Sequence, residues 1–371
     1  MLEEQVNVAD AVNAAENGIA RTPIVAFLGP ISSYTHQAAL QSFPGDKYDL
    51  RPSTNIDEVF EVVQKGDADF GVVPFENSTN GPVIFTLDNL ANRYRTCPDI
   101  FVCGEAYVDV HHFLLGQRNR SPTLDDGGDG SGTCTPTLAD PHPLKPRTKP
   151  LGSLKHITRL YSHPQAWGQC SIFLSTYLKG IETIDVSSTS RAAEMVKEDK
   201  TGTSAAISSE IAAKVYGVDV LAKSIEDRED NTTRFFIIKK TTRPELKVPR
   251  PISDGEVEKE AKEEGETGKL PRSSTTKSLV SFTVPHHEPG ALADVLDCFR
   301  KAKLNLTTIN SRPSLITAFQ YLFFVEIEGH YDLDPGVREA LVEVKRVAQS
   351  SRWLGSWYSQ TSHSRGSRQL S

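Results

Sequence analysis

Between residues 22 and 240 the chain alternates short runs rich in β-branched and aromatic residues with stretches of helical periodicity. That alternation constrains the fold to the α/β class, because each buried strand must hand over to a helix that covers the sheet. The runs fall at 24–29 (IVAFLG), 48–52, 68–75 (ADFGVVPF), 100–115, 155–162, 182–187, 203–208 and 233–239. They predict a mostly parallel sheet with helices on its faces. Asn55 and Glu58, three apart ahead of Val59, Phe60 and Val63, form a capping-box pattern that marks a helix start. Residues 164–178 open with proline at a first helical position and keep apolar residues at helical spacing, which predicts one helix. In such folds ligands collect where strands end and helix N-termini expose unpaired N–H groups.

Two stretches break the pattern. Residues 117–150 are crowded with Pro, Gly, Asp, Ser and Thr and hold no aromatic side chain, so they are expected to be a disordered surface insertion. Residues 241–276 run through Pro244, Pro249 and Pro251 into acidic sequence and read as a linker. Beyond it, 277–358 follow the order βαββαβ, a ferredoxin-like unit, and 359–371 form a Ser- and Arg-rich tail. A chain cut near residue 245 is therefore expected to keep whatever chemistry the first part performs.

Several classes are disfavoured by composition. A net charge of -7 argues against a broad phosphate-neutralising surface and hence against nucleic acid. No run approaches the roughly 20 apolar residues of a membrane span. The acidic stretch 1–21 opens with Glu3, Glu4, Asp10 and Glu16, unlike a secretory or transit peptide, and the expected location is cytoplasmic. The cysteines, at 97, 103, 134, 170 and 298, include no C-x-x-C pair. The pairs His111–His112 and His286–His287 lack a third ligand at a suitable spacing, so no metal is expected.

Four polar clusters sit where strands meet helices or turns. Gly29-Pro30-Ile31-Ser32-Ser33-Tyr34-Thr35-His36-Gln37 puts hydroxyls at a helix start, where they serve as a plain cap or receive a carboxylate. Val72-Val73-Pro74-Phe75-Glu76-Asn77-Ser78-Thr79-Asn80-Gly81 follows a buried strand. Ser162-His163-Pro164-Gln165-Ala166-Trp167-Gly168-Gln169-Cys170 opens a helix, and Asn231-Thr232-Thr233-Arg234-Phe235 enters the last strand. Arg234 is open to two readings, an ion pair or the complement of an anion.

Together and in this order the four clusters resemble those of the prephenate dehydratase family, and Ser188-Thr189-Ser190-Arg191 and Ala205-Ala206-Ile207-Ser208-Ser209 fit the same pattern. Glu288-Pro289-Gly290-Ala291-Leu292 and Asn310-Ser311-Arg312-Pro313 resemble the effector-site segments of the ACT domain in these enzymes, with Asn310 where the family has Glu. Ser32 likewise stands where the family has Gly. The resemblance implies a two-lobed catalytic domain, like a periplasmic binding protein, over 22–240, with one lobe of about 22–105 plus 208–240 and the other of 106–207. It also implies an ACT domain over 277–358.

By the same resemblance the chain is a cofactor-free lyase turning prephenate into phenylpyruvate in phenylalanine biosynthesis, a homodimer or homotetramer inhibited by L-phenylalanine. Thr233, Glu76 and His163 are its expected catalytic group, and Ser33, Asn77, Ser78, Ser162, Gln165, Gln169, Ser188 and Arg234 its expected substrate ligands. Gly290, Ala291 and Leu292 of one subunit are expected to meet Asn310, Ser311, Arg312 and Pro313 of another around the effector. Two other readings stay open, an arogenate dehydratase and a non-catalytic sensor of aromatic acids.

Overall fold

The computed structural model describes residues 21–118, 145–241, 275–285 and 287–360. The acidic N-terminal stretch, the middle of the insertion, the linker and the tail, all expectations of the sequence, lie outside the described residues.

Two mixed sheets carry the first part of the chain. The first holds β1 (Ile24–Leu28), β2 (Asp49–Ser53), β3 (Phe70–Asn77), the two-residue β4 (Gly81–Pro82) and β5 (Ile100–Asp109). The second holds β6 (Phe113–Gly116), β7 (Arg159–Ser162), β8 (Glu182–Asp185), β9 (Ser204–Ser208) and β10 (Asp219–Ala222). The chain then returns as β11 (Thr232–Lys240), which lies between β3 and β5 in the first sheet. Within this first part of the chain the parallel pairs are those joined by helical crossovers, β1 with β2 and β3, and β7 with β8 and β9. The mostly parallel sheet expected from the sequence is thus corrected to a mixed one. β5 and β11, which carry the chain out to the second lobe and back, have no crossover helix between them and pair antiparallel.

The lobe boundaries shift as well. The apolar run 100–115 is two strands in different sheets, split at residues 110–112, and β10 pairs with β6 in the second sheet. The crossings therefore fall near 110–112 and 223–231 instead of at 105 and 208.

The helices follow local chemistry. In α1 (Tyr34–Ser42) Ser33 caps the first turn, accepting from His36 N at 3.1 Å. Asn55 caps α2 (Ile56–Lys65), while Glu58 reaches back to Thr54 N at 2.6 Å, one residue earlier than a strict capping box. After α3 (Ile84–Ala91) and the crossing, the helix expected at 164–178 is two, α4 (Pro164–Gln169) and α5 (Ser171–Tyr177), broken at Cys170. Asp227 makes the break favourable. Its carboxylate accepts from Ile172 N and the Ser171 hydroxyl, while its own N–H donates to Gln169 O at 2.7 Å. The second lobe is completed by α6 (Thr189–Glu198) and α7 (Glu210–Tyr216).

The C-terminal unit runs β12 (Thr276–Thr283), α8 (Ala291–Lys301), β13 (Leu306–Pro313), β14 (Tyr321–Glu328), α9 (Pro335–Val347) and β15 (Ser350–Tyr358). Its antiparallel sheet, in the order β13-β14-β12-β15, continues the first sheet through β15 and β5. The junction is one residue wide. Gly355 faces Val102 at φ +135°, and a Cβ there would lie 2.0 Å from Val102 O, so the two backbones meet only at a glycine.

This seam is a core and not a linker contact. Trp357, Leu354, Leu279 and Phe324 from the C-terminal unit pack with Phe236, Ile238, Phe75 and Val73 of the first lobe, the Trp357 and Phe236 rings 5.3 Å apart. Arg352 on β15 donates to the carbonyls of Leu90, Pro98 and Ile100, and Arg312 on β13 grips Asp88 of α3 through two bonds of 2.7 and 2.8 Å. A cut near 245 would expose this core, contrary to the independence the sequence suggests.

Candidate active site

Where β3 ends and β11 begins, Asn77 organises both strands. Its amide nitrogen donates to Asn231 Oδ1 at 2.8 Å, to Thr233 Oγ1 at 3.0 Å and to Thr232 O at 3.3 Å. Its oxygen accepts from the N–H groups of Thr79 and Asn80, both at 3.0 Å, and so turns the chain out of the strand. Ser78 closes the same junction, donating to Asp230 O and accepting from Thr232 N. Because Thr233 Oγ1 already accepts from an amide, and no acceptor for its own proton is found among the described residues, the hydroxyl presents a hydrogen to the space in front of it.

Successive residues of a strand face opposite ways, and β11 uses this fully. Thr233 pairs with Asn77 on one face, whereas Arg234 pairs with Glu76 on the other. The expectation that Arg234 binds substrate is corrected here. Its side chain, 3% exposed, lies over Phe75 and Phe236 and bonds Glu105, Glu76 and, across the seam, Glu326 of β14. Lys277 stands 3.5 Å from Glu105 and 3.3 Å from Glu326. Burial drives the Glu105 carboxyl up, but Arg234 and Lys277 outweigh it and hold the group below the usual carboxylate range. Glu76, expected to join the catalytic group, belongs to this network and turns away from the Thr233 face.

The other expected residues divide. Ser33 and Ser188 are helix caps, Ser188 accepting from Arg191 N at 3.1 Å, and Ser162 is fully buried and donates to Ile207 O at 3.0 Å. Ser162 is spent inside the second lobe, which corrects its expected role. His163 caps α4 through Nδ1, which accepts from Gln165 N, and burial holds its pKa below the ordinary histidine value. Among the described residues no hydrogen bond joins it to Thr233. Gln165 is exposed.

Gln169 enters a cluster that sequence reasoning missed. Its Oε1 is 2.6 Å from His112 Nε2, and Tyr34 OH, from the first cluster, donates to His111 O at 2.9 Å. Glu226, 1% exposed, accepts from His112 N and lies 3.1 Å from His111 Nδ1 and 3.3 Å from Arg147. Arg147 thus anchors the C-terminal edge of the insertion, which is not wholly a surface appendage. The one available signal was the His111–His112 pair, which falls between the two sheets and not on a single strand. Ser32, in the family's glycine position, adopts φ +79°, and its buried hydroxyl has no partner among the described residues.

In the C-terminal unit Gly290 opens α8 at φ +87° and, with Ala291 and Leu292, lines a recess shared with Val284, Pro285, Glu288 and Leu296. Residues 310–313 do not line it within the chain. Arg312 is engaged with Asp88, while Ser311 and Pro313 are exposed on the edge strand β13. Among the described residues no group of three His, Cys, Asp or Glu is arranged to hold a metal ion, and no helix is long and apolar enough to cross a membrane.

Two mixed α/β lobes linked by a double crossing, a Thr–Asn pair at the strand junction and an appended βαββαβ unit define a two-lobed cleft enzyme with a regulatory-type domain. The sequence profile described as prephenate dehydratase matches residues 25–243. The bifunctional chorismate mutase/prephenate dehydratase of Aquifex aeolicus is 32% identical over 90% of this chain and 73% of its own length. The probable prephenate dehydratase of Saccharomyces cerevisiae is 31% identical over 82% of this chain and 87% of its own. A crystal structure of Arthrobacter aurescens prephenate dehydratase in complex with L-Phe superposes with a TM-score of 0.68 at 27% identity, covering 91% of this chain and 90% of that one. The chain belongs to the prephenate dehydratase family, and its reaction class is that of a hydro-lyase in phenylalanine biosynthesis.

Proposed function

We propose that the family reaction takes place in front of the Asn77–Thr233 pair, with L-phenylalanine acting as effector through the C-terminal unit. Prephenate carries a ring carboxylate and a hydroxyl on opposite carbons of a cyclohexadiene. As the carboxylate leaves as CO2, its bonding electron pair enters the ring; the carbon–hydroxyl bond breaks, and the departing hydroxide, hydrogen-bonded by Thr233, takes up one proton that comes in the end from solvent to become water. Aromaticity drives the step, so the protein's task is to orient the dianion and assist the leaving hydroxyl.

The observation that carries the reading is the bond from Asn77 Nδ2 to Thr233 Oγ1. By occupying a lone pair of that oxygen, it favours the Thr233 proton as donor to the leaving group. Asn77 is a positioning residue in this scheme, and Ser78 and Asn231 stiffen the junction. The Gly290–Leu292 recess and the L-Phe bound to the Arthrobacter aurescens relative support an effector site in the ACT-type unit, and a cytoplasmic homodimer or homotetramer completes the proposal.

The test is phenylpyruvate formation from prephenate. Thr233→Ala should lower kcat about 100-fold, as loss of one well-placed donor in a dry site costs about 3 kcal/mol, while Thr233→Ser should retain most of it. Equal losses in two variants that melt like the parent would make Thr233 a packing residue. Preferential turnover of arogenate, or a parent enzyme indifferent to millimolar L-phenylalanine, would overturn the substrate or effector assignment respectively.

A further inference from the structure

At the first crossing His112 is held from every side. It is 2% exposed, its N–H donates to Glu226 Oε2 at 2.9 Å, and its carbonyl accepts from Ile225 N at 2.8 Å, so both crossings of the chain grip its backbone. Its ring meets Tyr34 of the first lobe edge-on, the centroids 6.3 Å apart and Nδ1 3.5 Å from the Tyr34 hydroxyl. Its Nε2 meets Gln169 of the second lobe at 2.6 Å. The charged or ionisable groups around it are Glu226, His111 and Tyr34. Burial lowers the His112 pKa, although Gln169 and Glu226 pull the other way, and so favours the neutral ring.

A neutral imidazole has one N–H. An amide oxygen only accepts, so with Gln169 Oε1 as the near atom the tautomer that makes this bond is the one protonated at Nε2. The main chain of Gln169 is fixed too, its carbonyl accepting from Asp227 N at 2.7 Å. With Oε1 occupied and the backbone pinned, the free part of the Gln169 amide is its NH2 group, which has no acceptor among the described residues. The cluster lies beside the Thr233 junction, since Val110 N donates to Asn231 O and Asn231 in turn accepts from Asn77.

We propose that His112 is a positioning residue for the dehydration, whose Nε2–H locks the Gln169 amide so that it offers only N–H donors to the dianionic substrate. An unlocked amide can rotate and turn its oxygen toward a carboxylate, which repels it. The proposal rests on the reading that Gln169 touches substrate. Because a bound anion is held in ground state and transition state alike, losing the lock raises KM more than it lowers kcat.

The experiment is steady-state prephenate turnover by the full-length chain carrying His112→Leu, His112→Asn, His112→Gln, Gln169→Ala and the pair His112→Leu/Gln169→Ala, each with a thermal melt. His112→Leu should raise KM about tenfold, the worth of one net hydrogen bond. His112→Gln, whose amide nitrogen reaches the place of Nε2, should restore KM to within about threefold, whereas His112→Asn, which places a donor only near Nδ1, should not. In the Gln169→Ala background His112→Leu should change KM no further. Gln169→Ala without effect on KM overturns the role of Gln169 and the proposal with it. A tenfold effect of Gln169→Ala combined with additive loss in the double variant, or an effect of all three His112 variants that simply follows their melting temperatures, overturns His112 positioning alone.

Discussion

Replacing Arg234 by Met separates two roles that the sequence leaves entangled. Methionine keeps an unbranched apolar stem against Phe75 and Phe236 but removes the charge shared by Glu105, Glu76 and Glu326. The Glu105 and Glu326 side chains are 0% exposed and, besides the neutral donors Ser359, Gln360 and Thr307, would keep Lys277 as their one cation among the described residues, more than 3 Å from each, so the loss resembles breaking a buried ion pair, about 3–5 kcal/mol. For a domain of this size that amounts to a melting temperature lower by roughly 10 °C. Urea unfolding followed by tryptophan fluorescence, to which Trp357 at the seam contributes beside Trp167 and Trp353, gives the free energy directly.

The pH dependence has a definite sign. In the parent the folded pKa of Glu105 is depressed, so its contribution is present above the ordinary carboxylate range and is lost as pH falls through the folded value. In Arg234→Met the burial that already pushes Glu105 up loses its main counterweight, and protonation of that carboxyl relieves it. The stability gap should therefore be widest near pH 8 and narrow toward pH 5. Adding Glu326→Gln to Arg234→Met should recover about 1–2 kcal/mol by removing one unpaired charge. An Arg234→Met variant that melts like the parent but binds prephenate poorly would refute the structural role and return Arg234 to the cleft.

Two further outcomes follow from features of the fold. Ser32→Gly should raise stability by about 1 kcal/mol: relief of the left-handed backbone and of a buried, unpartnered hydroxyl exceeds the chain entropy that glycine costs, and a lower melting temperature would show that the hydroxyl has a use. A chain ending at residue 245 should bind a hydrophobic dye and precipitate, because it bares Phe236 and Ile238 and leaves Arg234 without Glu326, whereas a soluble, fully active product would make the seam dispensable.

Much of the fold was legible because burial writes a period into sequence. The βαββαβ order of the C-terminal unit and most strands of the first part follow from alternation alone, as in β11, where Phe235 and Ile237 enter one core and Phe236 and Ile238 the other. What periodicity cannot say is which sheet a strand joins. The apolar run 100–115 looks continuous although a crossing interrupts it, and β10 is too short to carry its own pattern. The site suffered from the same blindness to partners. Nothing local distinguishes Arg234 facing an anion from Arg234 facing Glu326, 92 residues away, or marks Glu226 in an acidic run as the anchor of the crossing. Asn77, in contrast, was readable as the polar residue that ends β3, and Thr233, near the start of β11, through the resemblance of its segment to the family's.

The opposite facing of Thr233 and Arg234 also shapes how this segment can evolve. Two neighbouring residues serve different compartments, and the only thing separating them is the two-residue repeat of an extended chain. Substitutions at either position can be weighed one by one. Gaining or losing a single residue between Asn231 and Arg234 would instead exchange the pair, pressing a threonine among carboxylates and swinging a guanidinium into the cleft. Length at this junction should therefore be held more tightly than composition, with drift in the family accumulating as replacements here while insertions settle beyond the strand ends.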